Sequence, residues 1–151
     1  MRALRTLAVA CVAAWLGVMA FFSLAAAPLL FRTIERASAG QVVAALLPHY
    51  YRWGITLCVP ALVALLTLTL GTRAGRTRHL AGAVLAGAMV ALLSWALTVT
   101  LPAAEGARRA GDTERFTAAH RSAMRLNLLT MLCGAGLVAL EAFTGAGRRD
   151  E

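Results

Sequence analysis

Residues 53–72, WGITLCVPALVALLTLTLGT, and residues 80–104, LAGAVLAGAMVALLSWALTVTLPAA, carry no charged side chain. Between them, residues 73–79, RAGRTRH, hold three arginines and no acid. Twenty helical residues rise about 30 Å, which is the hydrocarbon thickness of a bilayer. In hydrocarbon every backbone N–H and C=O must find its partner within the segment, and a helix does this for itself. The stretch therefore predicts two transmembrane helices joined by a tight basic turn.

Reading outward, the chain is free of charge from Thr6 to Phe31, behind Arg2 and Arg5. A secretory signal is the rival reading, with Ala25, Ala26 and Ala27 as a cleavage site. The run is longer than the 7–15 residues of a signal's apolar region and continues through Pro28 to Phe31, so we expect it to stay attached as a span. A fourth apolar stretch, Leu126 to Leu140, is bracketed by Arg125 and Glu141, two residues whose charges can reach the interface. The expectation is an all-α integral membrane four-helix bundle forming one domain over 1–151. Its spans lie near 7–31, 53–72, 80–104 and 122–143. The short turn lies on one side, and two longer loops lie on the other.

Composition agrees. The 151 residues are 60% hydrophobic and 15% charged, with a mean hydropathy of +0.71; soluble domains have about a quarter charged. All 15 basic residues are arginine and the net charge is +8, but the arginines alternate with apolar runs rather than forming one basic face. They predict contact with membrane lipids, not nucleic acid. Seven arginines fall with the termini and the short turn and eight with the long loops, so their number does not fix orientation. The short turn and N-terminal flank are purely basic. On that ground we expect a bacterial plasma (inner) membrane protein with both termini cytoplasmic. Cys11, Cys58 and Cys133 are far apart and sit in apolar runs, which argues against a disulfide or zinc scaffold. Phosphate-binding, zinc-protease and nucleophile-elbow motifs are absent, and Glu141, the acid nearest a span, reads as interfacial.

Candidate chemistry gathers on the long-loop side. Pro28, Pro48, Pro60 and Pro102 all fall there and read as helix-end punctuation that frees backbone carbonyls. His49, Tyr50, Tyr51, Trp53 and His120 lie at the same level, where an aromatic belt is the structural alternative to a site. Helical spacing suggests inward stripes of Thr56, Pro60, Thr67 and Gly71 on span two, Gly87, Ala91, Ser94 and Thr98 on span three, and His120, Met124, Asn127, Met131 and Gly134 on span four. Asn127 needs a partner at its depth. The expected partners are a carbonyl freed by a proline, or the Thr98 or Thr56 hydroxyl. His49, Tyr50, Tyr51, His120 and Asn127 are the candidate ligand-binding residues. His49 and His120 are the candidate ligands for haem b or copper. Span one, Pro28, a basic loop, His49 and span two also echo span three, Pro102, a basic loop, His120 and span four, as two parallel hairpins would.

The stretch Phe21–Phe22, Ala27–Pro28–Leu29–Leu30–Phe31, Ala39–Gly40 and Leu47–Pro48–His49–Tyr50–Tyr51–Arg52–Trp53–Gly54 resembles the transmembrane protein 205-like family, as does Asn127 seven residues after His120. Leu47 stands where that family often has Phe. The resemblance implies a four-span bundle without an assigned molecular function. The architecture also resembles copper-resistance D-like and haem-biosynthesis four-helix membrane proteins, a likeness of fold that does not carry function. Three functions follow as expectations. The first is a non-enzymatic protein binding a small ligand, lipid or metal at the long-loop face. The second is a haem- or copper-binding oxidoreductase. The third is an assembly or scaffold subunit, as a homo-oligomer or with a membrane partner.

Overall fold

A computed structural model describes residues 1–73 and 75–143. Arg148 and Arg149 of the orientation argument lie outside the described residues. Among those described the protein is entirely helical, with four helical rods long and apolar enough to cross a membrane. The first rod is α1 (Arg2–Phe21), a π-helical turn (Phe22–Ala26) and α2 (Ala27–Thr33). The second is α3 (Arg36–Gly71). The third is α4 (Arg76–Trp95), a second π-turn (Ala96–Thr100) and α5 (Leu101–Arg109), and the fourth is α6 (Thr113–Phe143). The protein is a multi-pass membrane protein with its spans packed as a four-helix bundle. Leu24 is 78% exposed and Leu70 is 82% exposed, on faces that lipid covers.

The helices outrun the apolar stretches that announce them. The 36 residues of α3 extend about 54 Å, well beyond the roughly 30 Å that a hydrocarbon layer requires. The apolar segment 41–47 is part of this helix. Asp112 caps α6, its Oδ1 accepting the Arg115 N–H at 3.0 Å. The prolines do not end helices. Pro48 and Pro60 lie inside α3, while Pro28 and Pro102 each follow a π-turn by one helical residue. Ala27 N–H bonds back to Phe22 O and Leu101 N–H to Ala96 O, five residues earlier. The widened turn carries the chain past a residue that has no N–H to give, and the helix continues.

The two halves repeat. Ala8, Val12, Trp15 and Met19 are the buried positions of α1, and Gly82, Ala86, Met89 and Leu93 are buried on α4. Each pair, Ala8 to Gly82 through Met19 to Leu93, is a step of 74 residues, as are Phe22 to Ala96 and Pro28 to Pro102. In section, α3 packs between α1 and α4, and α6 touches the same two from the other side. Thus α1 and α4 face each other across one diagonal, and α3 and α6 across the other. The arrangement is a pseudo-two-fold of parallel hairpins about the membrane normal.

Close approach sets the details. A Cβ on Gly54 would fall 2.5 Å from Cζ2 of Trp15, so this position of α3 must be glycine for α1 to seat its indole. The inward faces differ from the expected stripes. Thr56, Pro60, Thr67, Gly71, Ala91, Thr98, His120 and Met124 are exposed, and the buried face of α3 runs through Tyr50, Tyr51, Gly54, Cys58, Ala61, Leu65 and Leu68. The threonines do not need the bundle. Thr56, Thr67 and Thr98 donate to the carbonyls of Arg52, Val63 and Ser94, one turn back on their own helices. A hydroxyl satisfied in this way can face lipid. Gly134 is buried against Leu16 and Met89, as expected for span four.

Candidate functional site

On the long-loop half, a chain of neutral hydrogen bonds crosses the bundle. Tyr50 lies on the inner face of α3 and is 8% exposed. Its hydroxyl donates to Asn127 Oδ1 at 2.7 Å, and Asn127 Nδ2 donates to Ser23 Oγ at 3.3 Å. Ser23 belongs to the first π-turn, so the widening beside Pro28 also presents the hydroxyl. Tyr50 and Asn127 are 77 residues apart in the chain. The contact joins α3 to α6 across the diagonal of the bundle.

Aromatic rings enclose the chain. The ring centre of Tyr50 lies 4.7 Å from that of Trp15, 5.0 Å from Phe22 and 5.3 Å from Tyr51. These separations suit offset and edge contacts. Trp15 is completely buried, and its indole N–H has no acceptor among the described residues.

Of the five sequence-selected residues, the structure joins Tyr50 and Asn127 directly and adds Tyr51 through its ring. The partners of Asn127 are Tyr50 and Ser23, not Thr56, Thr98 or a carbonyl released by proline. The two threonines are turned to their own helices, and the π-turns absorb Pro28 and Pro102. His49 faces outward, lining an open recess of about 260 Å³ with Arg52, Trp53 and Thr56. His120 is exposed on the first half of α6 and stacks on Phe116 at 6.2 Å. Among the described residues there is no group of three or more His, Cys, Asp or Glu that could hold a metal.

The opposite end holds a cluster that the sequence reading passes over. Glu141 is 0% exposed rather than interfacial. Its Oε1 lies 3.0 Å from Nδ1 of His79, and its Oε2 lies 3.3 Å from Nε of Arg5 and 3.4 Å from Nε of Arg78. Arg5 also donates to the Glu141 carbonyl. The first turns of α1 and α4 thus grip the last turns of α6, and their N-terminal dipoles favour the carboxylate. One signal was available: even-numbered spans put Arg5, Arg78, His79 and Glu141 at one end, and Glu141 is the acid nearest them in the bundle.

Comparison with known proteins adds a family. The family described as a domain of unknown function (DUF4149) matches residues 10–113. An uncharacterized protein of Aquifex aeolicus (strain VF5) is 31% identical over 137 residues, covering 91% of this chain and 96% of its own. No solved structure matches. The match takes in the first π-turn, the Tyr50 segment and the third rod, and the relative aligns along nearly the whole bundle: the chain is a member of the DUF4149 family of unknown function.

Proposed function

We propose that this protein is a non-enzymatic membrane component that holds the phosphate-bearing headgroup of an anionic phospholipid at the long-loop face. The observation that carries the reading is the recess formed by His49, Arg52, Trp53 and Thr56 on the outer wall of α3. Arg52 has no acidic partner among the described residues, so its charge is available to a phosphate. From Arg52 to Gly71, where α3 ends two residues before Arg73, the helix rises about 29 Å, which matches the thickness of a hydrocarbon layer. Trp53, 64% exposed, then lies at the interface, where its ring is at home. The kinship to the transmembrane protein 205-like family belongs to the same reading, as does placement in a bacterial plasma membrane.

Native mass spectrometry of the detergent-purified protein tests it. Phosphatidylglycerol should be retained over phosphatidylcholine, and Arg52→Gln with His49→Ala should reduce the retained anionic lipid several-fold while the protein stays folded. Equal retention of both lipids by wild type and variant would overturn the assignment. A Soret band in the purified protein would replace it by the haem reading through His49 and His120. A stoichiometric co-purifying protein would replace it by the assembly-subunit reading.

Orientation is proposed with both termini cytoplasmic. In a background lacking Cys11, Cys58 and Cys133, an impermeant thiol reagent applied to intact cells should label Ser38→Cys and spare Thr77→Cys. The reverse pattern would invert the protein in the membrane.

A further inference from the structure

The seam between α3, α6 and the first π-turn is separate from the outer recess, and its chemistry is different. The chain Tyr50 to Asn127 to Ser23 uses one amide N–H of Asn127 and none of the proton-donating capacity of Ser23. Among the described residues, neither the second amide N–H nor the Ser23 O–H has an acceptor. The Trp15 N–H, fully buried against Tyr50, has none either. The seam thus holds a surplus of neutral donors surrounded by the rings of Trp15, Phe22, Tyr50 and Tyr51. A buried donor left without an acceptor costs about 1–3 kcal/mol, so a molecule bringing acceptors gains by entering.

We propose that this seam binds the headgroup of a lipid-soluble quinone, a neutral planar ring with carbonyl acceptors on opposite edges. A charged ligand would meet no counter-ion among the seam's residues and would lose its hydration. A plain hydrocarbon would leave the donors as they are. A ring dicarbonyl takes hydrogen bonds from Asn127 and Ser23 on one edge and from Trp15 on the other, and stacks on Tyr50. Entry is lateral, from the bilayer. Ser23 and Asn127 are only partly buried, and the wall beside them is the π-turn that carries Phe22. Single π-turns inside α-helices are frequent at functional sites. Phe22, 5.0 Å from Tyr50 and half-buried, marks the face of Tyr50 on which the quinone ring would stack. No redox step is part of the proposal.

The test uses Trp15 as its own reporter. Trp53 and Trp95 are 64% and 57% exposed and are replaced by Phe in the full-length protein. Decylubiquinone should then quench Trp15 fluorescence saturably in nanodiscs, and decylbenzene should not. Asn127→Leu and, as the milder change, Ser23→Ala should each raise the apparent Kd by about three- to tenfold, the range membrane hydrogen bonds supply. Their thermal stability in detergent should change little. Non-saturable quenching, or a Kd unchanged in folded Ser23→Ala and Asn127→Leu, would overturn the proposal. Loss of anionic lipid from the outer recess would leave this result as it stands.

Discussion

Glu141→Leu should cost about 3–5 kcal/mol of stability, the toll of leaving buried charges without their partner. The carboxylate is fully enclosed, and three basic side chains from two other helices converge on it. Removing it leaves Arg5, Arg78 and the buried His79 ring facing one another with no anion between them. The arginines are 30% and 23% exposed and can turn partly toward water or headgroups, whereas His79 is 6% exposed and cannot. Arg5→Ala should therefore cost far less, about 1 kcal/mol. Glu141→Gln keeps an acceptor for His79 and should fall between the two. Thermal unfolding in detergent, followed by size exclusion, gives the ranking. An Arg5→Ala loss as large as that of Glu141→Leu would show that the carboxylate is not the centre of the cluster.

The second large effect lies where α1 meets α3. Trp15→Ala should cost about 3–5 kcal/mol, the usual range for deleting a buried large aromatic. The residue is wholly enclosed and touches both the Gly54 backbone and the Tyr50 ring. Gly54→Ala approaches the same contact from the other side. Its new methyl would sit 2.5 Å from one indole carbon and 2.7 Å from another, both parts of a rigid ring. Overpacking of that kind costs about 1–3 kcal/mol. Trp15→Phe removes the colliding edge, so the double variant Trp15→Phe with Gly54→Ala should be more stable than the sum of the singles allows. Strict additivity would mean that the two residues do not meet.

Of the candidate site, the sequence singled out Asn127 as a residue in need of a partner and Tyr50 as one of the aromatics at the level of His120, two helical turns from Asn127. It could not pair them. The pairing depends on how α3 and α6 face each other across the bundle, which brings positions 77 residues apart together. It also depends on a π-turn that turns Ser23 inward, and a π-turn leaves no mark beyond a nearby proline. The prolines looked like helix ends because the simple rule places a break there. One extra residue in the turn was enough to avoid it.

The number of spans and the short basic turn were readable from residues alone, as was the gathering of aromatics on the long-loop side. In hydrocarbon a helix must satisfy its own backbone, so an uncharged run of bilayer length has one structural outcome. Which face of each helix turns inward was not readable. Lipid is as apolar as the bundle interior, so burial leaves no hydrophobic periodicity to follow. Threonines that bond to their own helices face lipid as readily as leucine does, and the stripes drawn through Thr56, Thr67 and Thr98 pointed outward. Glu141 followed the same logic in reverse. At the end of a span it looked like a residue reaching for water, and only the convergence of three helix ends gave it the partners that let it be buried.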